Sequence, residues 1–204
     1  MPVRLVAFDL DGTLIRGRNS LTVVGHGLGH PEWSERMEII QMRGRTADEM
    51  RARVAPWLAY APHDLCRHLV ESEFAPSVDE AFGLLHARGI VTAIVSISWS
   101  FIVEWFARRF GAAHWVAVGL APDGTVAPFW PEDKGPWLER LMAELGLGRE
   151  HVAAVGNSPR DASLLRAAGH AFYVGAEDPE AMVAGAHHHP DGDLAAIART
   201  ILQL

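Results

Sequence analysis

The chain has 204 residues, a formal net charge of −7 at neutral pH and 49% hydrophobic residues. That length buries a substantial core in one domain with room for an inserted subdomain, and the apolar content separates it from disordered chains. The negative balance argues against non-specific nucleic-acid binding, and no apolar run approaches the ~20 residues needed to span a bilayer. The single cysteine, Cys66, excludes an intramolecular disulfide and fits a reducing compartment. The start shows no signal-peptide pattern, because an acidic pair interrupts its apolar stretch. The expectation is a soluble cytoplasmic protein, with neither nucleic acid nor a membrane as partner.

Residues 3–8 form the kind of apolar run that a buried parallel strand shows, and it stops abruptly at Asp9 and Asp11. Residues 15–76 then carry no strong strand signal. Within them, residues 25–31 read as a flexible loop. They are not a dinucleotide-binding GxGxxG, because no βαβ unit surrounds them. Residues 32–55 read as helices, with Met37, Ile40 and Gln41 at helical spacing and Gly44 as a break. Thr46-Ala47-Asp48-Glu49 resembles a capping box that starts a new helix. Residues 63–74 give a further helical stretch, on which Cys66 reads as a packing residue. Trp33 and Trp57 either pack or line a pocket, and the sequence does not separate the two.

Residues 77–88 predict an amphipathic helix stopped by Gly89, residues 90–95 a buried strand, and residues 98–110 a helix closed by Gly111. Residues 115–118 and 125–127 flank Ala121-Pro122-Asp123-Gly124, a hairpin turn by its chemistry. A helix over 135–145, a strand over 151–155, a helix over 159–168, a strand over 170–174 and a last helix over 193–201 complete the chain. This alternation predicts an α/β fold built on a doubly wound parallel sheet, whose ligands bind beyond the carboxyl ends of the strands where strand order switches. His187-His188-His189 invites a metal reading. Adjacent histidines in a strand face opposite sides, however, and seldom chelate one ion together.

Two carboxylates as close as Asp9 and Asp11 repel unless a cation or a shared proton neutralises them. Phe8-Asp9-Leu10-Asp11-Gly12-Thr13-Leu14 resembles the first motif, DxDGT, of the haloacid dehalogenase superfamily. Three later matches support it. Ser96, at the end of a strand, resembles the second motif, with Ser98 as the competing choice and the better helix-cap candidate. Lys134, placed before a helix, resembles the third. Gly156-Asn157-Ser158-Pro159-Arg160-Asp161 resembles the acidic fourth motif, commonly GDxxxD.

The resemblance implies a Rossmann-like core made of residues 1–14 and 77–204, with a small helical cap at 15–76 inserted after the first strand, as in phosphoserine-phosphatase-like members. It implies Asp9 as nucleophile and Asp11 as general acid/base. Thr13, Ser96 and Lys134 would bind the substrate phosphate. Asp9, the Asp11 carbonyl and Asn157 would bind Mg²⁺, while Asp161 would orient Lys134 or hold a metal-coordinated water. The dehalogenases lack an Asp at the position of Asp11, so phosphoryl chemistry is favoured.

Two departures stand out. Asn157 replaces a carboxylate: its neutral oxygen is acceptable to Mg²⁺ but the site loses a charge, unless Asn157 is a turn residue only. Where phosphoserine phosphatases place an acidic residue for the substrate amine, this chain has Arg16-Gly17-Arg18-Asn19. The expected activity is therefore a Mg²⁺-dependent phosphomonoesterase acting on a small phosphorylated metabolite through an aspartyl-phosphate, with phosphoserine a poor substrate. Arg16, Arg18, Arg43 and Arg45 either face the cleft or are solvated. The rival readings are a phosphotransferase using the same intermediate and a catalytically weak phospho-ligand-binding protein.

Overall fold

The computed structural model describes residues 2–33, 39–180 and 182–204. Met37, from the expected helical stretch, lies outside the described residues. The wholly apolar β1 (Leu5–Phe8) is fully buried, as a strand covered on both faces must be. It pairs in parallel with β4 (Val91–Trp99) on one side and β7 (Val152–Gly156) on the other. β5 (His114–Leu120) and the antiparallel β6 (Val126–Ala127) extend one edge, through the hairpin expected at Ala121-Pro122-Asp123-Gly124. β8 (His170–Tyr173) and β9 (His187–His188) extend the other. The order β6-β5-β4-β1-β7-β8-β9 is the mostly parallel, helix-flanked α/β sheet that the alternation predicted.

Helices lie on the sheet's connections among the described residues. They are α1 (Ser20–Gly27), α2 (Ala47–Leu58), α3 (Pro62–Cys66), α4 (Val78–His86), α5 (Ser100–Phe110), α6 (Lys134–Glu144), α7 (Ala162–Ala167) and α8 (Leu194–Ile201). α2 starts at the Thr46–Glu49 capping box, and α5 stops at Gly111 in a left-handed C-cap conformation. The inward stripe of α5, Ile102, Val103, Phe106 and Phe110, recurs at helical spacing and is buried. Truncating Phe106 to Ala in this packing costs about 3–5 kcal/mol.

The structure corrects several expectations between residues 15 and 76. The loop expected at 25–31 is helical through Gly27. Asn19 caps α1 by accepting from Thr22 N, and Leu21, Val23 and Val24 are buried, which outweighs the glycines' poor helix propensity. Two short strands, β2 (Ile15–Arg16) and β3 (Glu73–Phe74), pair antiparallel and bracket the segment. Two residues are too few to show a period. The helix expected over 63–74 is α3 followed by a 3-10 turn, Arg67–Glu71, and then β3.

Trp57 is buried against Trp33 and Phe101, and Trp33 stacks on His30 at 4.1 Å, so both tryptophans pack. Further along, β4 runs through Ser96 and Ser98 to Trp99. Ser98 is therefore a strand residue and does not cap α5. His187 and His188 lie on the edge strand against Phe172 and Tyr173. No metal-holding cluster of His, Cys, Asp or Glu occurs among the described residues.

Candidate active site

Phe8 is level with Ile94 on one neighbouring strand and with Val155 on the other. Asp9 directly follows β1, Ser96 lies two residues past Ile94, and Asn157 lies two past Val155. Three segments distant in sequence thus deliver their side chains to the carboxyl ends of the middle strands, where a doubly wound sheet opens a crevice. The crevice is a hollow of about 190 Å³ lined by Asp9, Asp11, Ser96, Lys134, Asn157 and Asp161, with Asn19, Leu21, Ile39, Ile97, Ser98, Ser158 and Arg160 around them.

Lys134 is the first residue of α6, and its ammonium is buried. It donates to Asp9 Oδ1 at 2.7 Å and to Asp161 Oδ1 at 2.6 Å. Burial alone would lower the lysine's pKa. The carboxylates of Asp9 and Asp161 outweigh it and hold the group charged. Asp9 shifts the other way from an ordinary carboxyl, up to about 7. Burial is the main cause, the Asp161 charge adds to it, and Lys134 opposes it. The carboxylate of Asp11 also lines the hollow, as does Arg160.

The other oxygen of Asp161 accepts from the backbone N–H groups of Asn157 and Ser158, at 3.0 Å each, and from Ser158 Oγ at 3.1 Å. Gly156 permits this closeness, since a Cβ there would lie 2.6 Å from Asp161 Cβ. Asp161 is thereby held in place beside the Lys134 ammonium.

Asp11 is held at the first turn of α1, where its carboxylate accepts from Ser20 N at 2.6 Å and Ser20 Oγ at 3.1 Å. A helix N-terminus favours such an anion. Ser20 Oγ lies 3.0 Å from Ser98 Oγ, and Ser98 N donates to Ser96 Oγ at 3.1 Å. The Ser20 hydroxyl thus adjoins Asp11 and the Ser98 hydroxyl, and the Ser98 backbone N–H connects that residue to the Ser96 hydroxyl. The sequence reading missed Ser20, and only the Asn-Ser start of α1 could have flagged it.

The Thr13 side chain is fully buried, off the lining of the hollow, and its hydroxyl donates to Asp9 Oδ2 at 3.1 Å. Of Arg16, Arg18, Arg43 and Arg45, for which the sequence leaves both the cleft and solvent open, none lines the hollow. Arg16 donates to the carbonyls of Gly12 at 2.6 Å and Gly192 at 3.3 Å. Arg18 borders a separate hollow with Glu71 and Glu73. Arg43 pairs with Glu132 at 2.5 Å and stacks over Trp130, and Arg45 lies 3.9 Å from Glu49. Arg160, inside the fourth motif, is the arginine on the rim.

The oxygen set for a divalent cation can be tested on geometry. The end of the Asn157 amide lies 3.3 Å from Asp9 Oδ2 and 3.2 Å from the Asp11 carbonyl oxygen. A carboxylate, a backbone carbonyl and a side-chain amide converging in this way are the hard oxygen donors that Mg²⁺ accepts, so the residues fit that ion. Gly12, at φ +90°, gives the amide its room: a Cβ there would fall 2.2 Å from Asn157 Nδ2.

A doubly wound sheet that gathers three carboxylates, an ammonium and an amide at the ends of its middle strands defines an α/β enzyme site. Residues 6–166 match the haloacid dehalogenase-like hydrolase family, and the chain belongs to that family. It is 27% identical over 188 residues to a phosphoglycolate phosphatase of Vibrio cholerae serotype O1 (strain ATCC 39315 / El Tor Inaba N16961), covering 82% of this chain and 81% of the relative. The fold is shared with phosphoserine phosphatase in its apo form (TM-score 0.74, 20% identity, 97% and 98% of the two chains). It is shared equally with that enzyme's phospho-aspartyl intermediate analogue (TM-score 0.73, 20% identity, 98% and 99%). A 3-deoxy-D-manno-octulosonate 8-phosphate phosphatase from Moraxella catarrhalis, in complex with magnesium ion, phosphate ion and KDO, superposes with a TM-score of 0.58 at 21% identity over 98% of this chain and 86% of that one.

Proposed function

We propose that the protein is a phosphatase that hydrolyses a small phosphomonoester through a phosphorylated Asp9. The observation that carries this reading is the buried Lys134 ammonium bridging Asp9 and Asp161 at the floor of the hollow. A carboxylate so fixed stands at the hollow in a constant orientation for an incoming phosphorus, and the ammonium screens the approach of the phosphoryl anion. Asp9 attacks phosphorus in line, the P–O bond to the leaving group breaks, and an aspartyl-phosphate forms. Asp11, steadied by Ser20, gives the leaving oxygen its proton and then takes one from the water that cleaves the intermediate. Ser96 and Lys134 hold the phosphoryl oxygens. Thr13 and Asp161 keep Asp9 and Lys134 in place.

Asp9, the Asp11 carbonyl and Asn157 are the residues that would hold Mg²⁺, which when bound neutralises the facing anions and polarises the phosphoryl group. The helical segment 15–76 serves as a cap over a core of residues 1–14 and 77–204, contributing Asn19, Leu21 and Ile39 to the lining of the hollow. Beyond Asp9, Asp11 and Asp161 the hollow is lined by no other acidic side chain among the described residues, so it offers a substrate amine no dedicated partner. The small volume and the apolar wall suit a short leaving group without an ammonium, and phosphoserine should rank low.

The test is turnover of an aryl phosphate and of a phosphometabolite panel by the purified protein with Mg²⁺. Asp9→Asn should remove activity by several orders of magnitude while circular dichroism stays unchanged. Substantial residual turnover in that variant would overturn the mechanism, and a panel led by phosphoserine would overturn the substrate reading.

A further inference from the structure

We propose that Asn157 serves the site in two orientations: its amide oxygen completes the donor set of a bound Mg²⁺, and its amide nitrogen takes the ion's place when the ion is absent. This rests on the reading above that Asp9, the Asp11 carbonyl and Asn157 are the metal's oxygen donors. The amide end lies 3.3 Å from Asp9 Oδ2, 3.2 Å from the Asp11 carbonyl and 3.3 Å from Thr13 Oγ1. With oxygen at that position, Thr13 can donate to it, but it faces the other two as one acceptor against two acceptors. A cation reconciles such an arrangement: with metal–oxygen distances of about 2.1 Å, neighbouring ligands of an octahedral Mg²⁺ sit about 3 Å apart.

Turning the amide over puts an NH₂ in the same place. Its two protons then go to acceptors that the ion would otherwise hold, Asp9 Oδ2 and the Asp11 carbonyl. Thr13 stays satisfied by donating to Asp9 at 3.1 Å. Nothing else has to move. The backbone of Asn157 is pinned by its N–H to Asp161, and the side chain lies over the bare Cα of Gly12. An ionised carboxylate at this position could not do the same, because it has no donor and adds a like charge. Asparagine therefore gives the metal-free enzyme an internally satisfied site. Mg²⁺ must displace two hydrogen bonds to enter, so its binding is weaker than the loss of one charge alone would make it.

The experiment compares wild type with Asn157→Asp, first in EDTA and then in MgCl₂, by ¹⁵N-resolved NMR, calorimetry and thermal melting. One side-chain NH₂ pair, absent from the variant's spectrum, should be protected from exchange in EDTA and move saturably on adding Mg²⁺. The variant should melt lower than wild type by roughly 5 °C or more in EDTA and recover most of that with Mg²⁺, while wild type gains less. If the carboxylate variant does not fold, Asn157→Ser supplies the resonance assignment. Calorimetric binding of Mg²⁺ with an Asn157 NH₂ pair that exchanges freely in EDTA, or that Mg²⁺ leaves unmoved, would overturn the two-orientation proposal alone. No heat of binding in either protein would overturn the metal-site reading together with it.

Discussion

Replacing Lys134 by methionine removes the ammonium that Asp9 and Asp161 share, and leaves two buried carboxyl groups without their common partner. Breaking a buried ion pair from one side costs about 3–5 kcal/mol, mostly as the penalty of the stranded charge. Both carboxyls here are stranded, and methionine keeps most of the lysine's apolar volume, so charge dominates the effect. At this chain length the loss corresponds to roughly 10 °C in Tm. The pH dependence has a definite sign. Asp9 already titrates at about 7, chiefly because it is buried, and losing the lysine removes the influence that opposes the rise. A carboxyl whose folded pKa lies above its unfolded value of about 4 binds its proton more tightly when folded. Its stabilising contribution is therefore present at low pH and lost as pH climbs from about 4 through the folded pKa. Lys134→Met should accordingly show its full deficit at pH 8 and a markedly smaller one at pH 5, in urea unfolding followed by circular dichroism with EDTA present. Adding Asp161→Asn should recover part of the loss at pH 8. A deficit under about 1 kcal/mol at pH 8, or one equal at both pH values, would refute the buried-triad argument.

Ser20→Ala removes the hydroxyl that reaches the Asp11 carboxylate at 3.1 Å while the backbone bond at 2.6 Å remains; kcat toward an aryl phosphate should fall roughly tenfold with KM little changed, and an unchanged kcat would separate Ser20 from catalysis. The Cys66 thiol, half-buried and bonded to the Phe101 carbonyl, is pushed up to about 11 from an ordinary 9.0 by burial, with the Glu104 charge adding to it. At pH 8 its thiolate fraction is well below an unshifted thiol's, partly offset by the greater nucleophilicity of a higher-pKa thiolate, so iodoacetamide should label the folded protein roughly tenfold more slowly than the unfolded chain, and equal rates would contradict the burial.

The comparison of Asn157 with Thr13 shows how local patterns and tertiary placement divide the work. Asp9-Leu10-Asp11-Gly12-Thr13 announces its chemistry as a string of residues. The string does not say that the Thr13 hydroxyl turns inward to Asp9 while the amide of Asn157 crosses over Gly12 to the same oxygen. That depends on β7 lying beside β1, a pairing between residues far apart in the chain. The same holds for the arginines after the first motif. Their charge was legible, but their partners, the Gly192 carbonyl for Arg16 and Glu132 for Arg43, come from remote segments and take them away from the hollow.

The sequence by itself determined the alternating strands and helices, the stops at Gly111 and at the Ala121–Gly124 turn and the capping box at Thr46. Each of these is a short-range matter of hydrophobic period, backbone freedom or capping. Tertiary structure alone decided that α1 is a helix carrying Ser20 to Asp11, that Ser98 stays in the strand and joins Ser20 across 78 residues, and that one lysine bridges two carboxyls. Those outcomes depend on which strands become neighbours and which polar groups must find partners once buried, and burial is a property of the folded chain as a whole.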